Sequence, residues 1–164
     1  MPLIGKGLRM RQKFRALLAA SCGAALLTSV AVAAITPDGH AAFEKRRDTM
    51  REMGRNLYRG IGRVVRGQDQ YGPDTVVAAQ NVARLAATIG VLFAAGSDDP
   101  ASNMKPGLLL ADPAKIAGLI AGVQAATAAL VPAVQSGDKA AIAAAFKQTN
   151  AACDACHSEY RKDD

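Results

Sequence analysis

Cys153-Asp154-Ala155-Cys156-His157 is the one stretch of this chain in which residue type and spacing together specify chemistry. On a helix, residues three and four apart share a face, so both sulfurs and the imidazole can meet one planar group. Each cysteine can take one vinyl group of a porphyrin as a thioether, and the adjoining histidine can reach the iron on the proximal side. The spacing therefore predicts one covalently attached haem c, anchored by Cys153 and Cys156, with His157 as an axial ligand. With three Cys and two His in the chain, chance would produce this pattern about once in a thousand such sequences. A thioredoxin-like pair would need a βαβ setting that is missing here, and a zinc site would need more ligands than the remaining His40 supplies.

A haem on this motif needs a pocket, and the chain offers four amphipathic helical segments with almost no strand signal. Apolar residues make up 50% of the chain and aromatics only 4%, a balance that favours helices packed through small residues over sheets. The first segment runs from about Ala41 to Arg66, with Phe43, Met50, Met53, Leu57, Ile61 and Val64 on one side. Arg51, Arg55, Arg59, Arg63 and Arg66 repeat on another, read as a solvated face. The second opens at Pro73 and extends to about Ala94, with Val76, Val77, Ala83, Ala86, Ala87, Ile89, Gly90 and Phe93 as its inward candidates. Gly96 to Asp112 reads as a surface loop.

A third helix covers about Pro113 to Val134, its stripe made by Ile116, Leu119, Ile120, Val123, Leu130 and Val134. The last begins near Lys139 and turns Ile142, Phe146, Asn150, Cys153, Cys156, His157 and Tyr160 to one side. Short turns within each outer pair and a longer middle loop predict an all-α, antiparallel up-down four-helix bundle. Phe93 and Phe146 read as core residues, Phe146 with haem contact. Arg46 stands on the face of Met50, where it can reach a haem propionate or lie exposed on the surface. Arg161 lies one turn after His157 and suits the other propionate or the helix C-terminus; Tyr160 is placed to pack on the ring. Met50 and Met53, one turn apart, are each candidates for core filler or for an iron ligand, with Met104 in the loop a third.

The formal charge of +6 does not mark a nucleic-acid binder. Lys6, Arg9, Arg11, Lys13 and Arg15 hold five positive charges, leaving 15 basic and 14 acidic residues in the rest of the chain. They precede an uncharged apolar stretch from Ala16 to Ile35 that includes Ala31-Val32-Ala33, a pattern that reads as an export signal. Residues 1–34 are thus expected to be a signal peptide and 35–164 the cytochrome domain, placed in the periplasm. An uncleaved anchor is the alternative, and only that would bring membrane contact. Cleavage near Ala33 or Ala34 removes Cys22 with the leader.

With the motif close to the C-terminus and the run Cys156-His157-Ser158-Glu159-Tyr160-Arg161-Lys162 after it, the chain resembles the cytochrome c prime family of class II c-type cytochromes. Arg46, four positions before Met50, matches a basic residue of that family. The run Met50-Arg51-Glu52-Met53-Gly54-Arg55-Asn56 is similar to its low-spin, methionine-ligated subgroup. The resemblance implies Met50 as the second iron ligand and hence a periplasmic electron-transfer protein working with redox partner proteins. A five-coordinate, high-spin protein that binds nitric oxide or carbon monoxide is the alternative, and a haem subunit of a larger redox complex the next. The resemblance also implies an antiparallel homodimer through the first two helices, which the arginine-rich face of the first opposes. Apart from the haem residues no acid, base or nucleophile cluster is present, so no enzymatic activity is expected.

Overall fold

The computed structural model describes residues 37–93 and 96–162, and the expected signal peptide lies outside them. The first helical rod is α1 (Pro37–Gly54), a π-helical stretch (Arg55–Ile61) and α2 (Gly62–Val65), continuous from end to end. It is followed by α3 (Pro73–Thr88) with a 3-10 extension (Ile89–Leu92), a short turn of helix α4 (Leu108–Ala111), α5 (Pro113–Gln135) and α6 (Lys139–Tyr160). The rod, α3, α5 and α6 form the four-helix bundle that the sequence predicts. Among the described residues the sole β pairing is an isolated bridge between Met104 and Arg161.

Each helix starts and stops for a local reason. The rod ends in a Schellman motif: Gly67 adopts φ +70°, its N–H donates to Val64 O at 3.0 Å, and Gln68 N donates to Arg63 O at 2.8 Å. Pro73 sits in the first turn of α3, and Pro113 in that of α5, where a missing N–H costs nothing. Asp112 Oδ1 accepts from Lys115 N at 2.9 Å, and Asp138 Oδ1 accepts from Ala140 N and Ala141 N, capping α5 and α6. Tyr71 donates to Val134 O at 2.9 Å and so joins the two turns at that end of the bundle.

Ile61, Val82, Leu130, Val134 and Ile142 are fully enclosed in the core; each stabilises the fold by about 1.5–3 kcal/mol through burial. The buried face of α3 differs from the expected one. Thr75, Ala78, Ala79, Val82, Leu85 and Ala86 face inward, whereas Val77 is 51% exposed and Ala87 and Gly90 are exposed. Close approach decides this. A Cβ at Gly60 would stand 2.6 Å from the Ala78 Cβ, so the rod meets α3 along its alanine face, and the bulkier Val77 is turned away.

Residues 96–112 are not simply a surface loop. Ser97, Ser102 and Met104 are buried, and the segment is strapped to the end of α6: Lys105 N donates to Tyr160 O at 2.8 Å and Lys162 N to Asn103 O at 2.7 Å. Backbone groups that cross a buried surface must find partners, and these bonds supply them.

Candidate functional site

The regular run of α6 from its Asp138 cap puts Cys156 and His157 one turn after Cys153, with both cysteines toward the core and His157 exposed at the cavity edge. Both thiols are free and half-buried, packed against the core. With His157 they line an apolar cleft whose other walls are Met50, Met53, Gly54, Leu57 and Tyr58 of the rod, Val82, Ile89 and Phe93, and Ile120 and Val123 of α5. The cleft shares Met50, Gly54, Tyr58, Phe93, Cys156 and His157 with a larger cavity of about 560 Å³. Arg46, Arg47, Arg51 and Arg161 line that cavity, along with Tyr160 and the strap residues Ser102 and Met104.

The walls fit a porphyrin. A volume of this size is that of a cofactor site, and Gly54 has no protein atom within 4 Å of where a Cβ would stand, so the backbone there leaves room for a flat ring. Burial raises the Cys153 thiol to about 11, helped by Asp154 and Cys156, and burial raises Cys156 as well. Such a setting disfavours thiolates and suits the neutral sulfur of a thioether. Desolvation, and then Arg161, lower the His157 pKa while Asp154 opposes them; the net effect favours the neutral imidazole. No group of three or more His, Cys, Asp or Glu converges among the described residues.

Arg46 lines the cavity and is buried, not exposed on the surface. It is 4% exposed, and its Nη1 donates to Leu92 O at 2.7 Å and Ser97 Oγ at 2.9 Å, while Nη2 donates to Ser97 O at 2.8 Å. Phe93 and Phe43 flank the guanidinium at 5.2 and 5.9 Å. Burial lowers its pKa, and Asp98 and Asp99 oppose that shift. These bonds tie α1 to Leu92 at the end of the 3-10 segment and to Ser97. Phe146 packs against the core cluster, as expected, and edge-on to Tyr58, ring centroids 6.2 Å apart; Phe93 is the phenylalanine of this pair that lines the cavity. Sequence reasoning missed Tyr58 as a wall residue. Its position four residues after Gly54, on the same helical face, was the available signal.

The chain matches the family of Cytochrome C' over residues 41–161. It belongs to the cytochrome c prime family. Among solved structures it is similar to a ferrous variant of cytochrome c prime from Alcaligenes xylosoxidans with bound NO, at 24% identity and a TM-score of 0.70, covering 77% of this chain and 97% of that one. It is similar too to a leucine-to-glycine mutant of the same protein complexed with nitric oxide, at 26% identity and a TM-score of 0.68, with 76% and 97% covered. The carbon monoxide-bound form of such a variant matches at 25% identity and a TM-score of 0.69, again with 76% and 97% covered. No curated protein matches the chain. The family is periplasmic, and cytochromes c prime carry one covalent haem c, for which Cys153 and Cys156 are the attachment residues here.

The comparisons overturn the expected low-spin electron carrier with His157 and Met50 both on the iron. The cytochromes c prime to which the chain is similar hold nitric oxide or carbon monoxide, and a diatomic ligand needs an iron position that no thioether closes. Met50 is half-buried on the cavity wall and packs against the core cluster. Met53, 6% exposed, is a core residue outright, and both act as the adaptable filler that methionine commonly provides.

Proposed function

We propose that this chain is a periplasmic, five-coordinate, high-spin cytochrome c prime that binds nitric oxide or carbon monoxide without turning over a substrate. The observation that carries the proposal is the cleft beside the attachment residues. Met50, Leu57, Val82, Ile89 and Phe93 give it a wall free of charge and of strong hydrogen-bond donors, which suits a small uncharged ligand and excludes water. The haem, when bound, supplies an iron that takes up the gas.

The chain's own residues anchor and orient the group. Cys153 and Cys156 hold it covalently after export, and His157 serves as its axial ligand. Arg161, on the cavity wall, partners a propionate, and buried Tyr160 packs beside the ring. Residues 1–34 act as a leader cleaved near Ala33 or Ala34, and a redox partner protein keeps the iron ferrous. Assembly as a homodimer belongs to the same reading. Val77 and Val91, 51% and 76% exposed, share one outer face of α3 and its extension and provide an apolar contact.

Visible spectra of the purified holoprotein in both oxidation states, with and without carbon monoxide, test the proposal. A high-spin ferric spectrum and rapid uptake of carbon monoxide by the ferrous form are expected. A low-spin ferric spectrum with no uptake would overturn it.

A further inference from the structure

The rod carries arginine at every fourth position through Arg51, Arg55, Arg59 and Arg63, preceded by Arg47 and followed by Arg66. All six are exposed. At 1.5 Å per residue the row is about 28 Å long, close to the width of a standard protein interface. Glu44 and Asp48 pair with Arg47, Asp48 with Arg51, and Asp69 with Arg63, at 3.1–3.7 Å. Among the described residues no acidic side chain pairs with Arg55 or Arg59. Like charges four apart on a helix repel by about 0.2–0.5 kcal/mol per pair, so the middle of the row is an unmet demand for anions. The demand is local, because the chain beyond the leader has 15 basic and 14 acidic residues.

Tyr58 lies beside this unpaired centre. It is 43% exposed, follows Arg55 by three residues, and forms a wall of both the cleft and the larger cavity. Arg66 Nη2 donates to its carbonyl at 3.3 Å, holding another cation over the same turn. Arginine around a central tyrosine is the composition of an interface centre.

We propose that this arginine row, centred on Arg55, Tyr58 and Arg59, is the docking face for the acidic surface of a partner protein. The outer side of the rod offers charge without an apolar strip to enter a bilayer, which favours a protein over a lipid surface. A partner seated there would rest against Tyr58, at the edge of the haem cavity. The proposal rests on the function above only in taking that partner to be a redox protein.

A poly-glutamate peptide titrated into the holoprotein by calorimetry is the test, at about 0.01 M and 0.15 M ionic strength. Saturable binding is expected, weakened roughly tenfold or more by the added salt. Arg55→Gln with Arg59→Gln should weaken it by roughly tenfold again, while Lys139→Gln with Lys147→Gln, exposed on α6, should change it by less than about twofold. No saturable binding, equal losses in the two double variants, or capture by phosphatidylglycerol vesicles in place of the peptide would each overturn the proposal. Carbon monoxide uptake by the same samples reports separately on the proposed function, and neither arginine lines the cavity, so the two failures can be told apart.

Discussion

Arg46 holds Ser97 by both its side chain and its carbonyl, at 2.9 and 2.8 Å, across a gap of 51 residues in sequence. The contact ties α1 to the start of the strap that walls the haem cavity. It also gives a buried cation three hydrogen-bond acceptors, and such a group is stabilising only while its partners remain.

Arg46→Ala should therefore destabilise the holoprotein by about 2–3 kcal/mol, since it strands the Leu92 and Ser97 acceptors. Chemical denaturation measures this. Arg63→Ala, at an exposed pair, should stay within about 0.5 kcal/mol of the parent.

Two glycines of the rod should respond in opposite ways. Gly60→Ala drives a methyl to 2.6 Å from Ala78 and should cost about 1–3 kcal/mol by overpacking. Gly54→Ala meets no protein atom, so the apoprotein should tolerate it, whereas the holoprotein should show a shifted haem absorption and slower carbon monoxide uptake. An unchanged haem spectrum in Gly54→Ala would mean that the ring does not approach this turn.

Met50→Leu should leave the spectra of both oxidation states in place, because only the shape of the wall changes. Met50→Ala should speed carbon monoxide uptake by opening the cleft. Loss of a low-spin spectrum on either substitution would show that the thioether had been bound to iron.

Acid stability should depend on Asp99. Its carboxyl is held below the ordinary range first by the Ala101 N–H and then by His40, 2.7 Å away. A carboxyl depressed in the folded state stabilises the fold above its unfolded pKa of about 3.9, and that stabilisation is lost as pH falls through the lower folded value. Asp99→Asn should flatten the acid limb of a stability–pH curve, most visibly below about pH 4. Its effect at neutral pH reports the hydrogen bonds together with the lost attraction to His40 and Arg46.

Val77→Asp with Val91→Asp should turn a dimer into a monomer in sedimentation while leaving helix content unchanged. A wild-type chain that is already monomeric at high concentration would remove that contact from the proposed function.

The helices and the attachment residues were legible in the sequence because each rests on a local rule. Pro73, Pro113 and Asp138 mark helix starts, and the spacing of Cys153, Cys156 and His157 follows the turn of a helix. What escaped was set by contacts distant in sequence. The face of α3 depends on how closely Gly60 lets the rod approach, and periodicity alone could not choose Ala78 and Ala79 over Val77. The burial of Arg46 depends on Ser97, which lies in a segment that had the composition of a loop. The reading of Met50 as an iron ligand failed for another reason: a methionine facing a cavity has the same spacing whether it binds metal or fills space.

The π-helical stretch from Arg55 to Ile61, in which the Gly62 N–H reaches back five residues to Leu57 O, is equivalent to one extra residue wound into the rod. Each residue of an α-helix turns about 100° around its axis. Removing one position between Arg55 and Gly60 would straighten the stretch into ordinary helix and rotate everything before it by that angle. Met50 and Gly54 would swing away from α6 while Gly62 stayed against Phe146, so the wide turn sets the rotational phase between the half of the rod that walls the cavity and the half that locks the bundle.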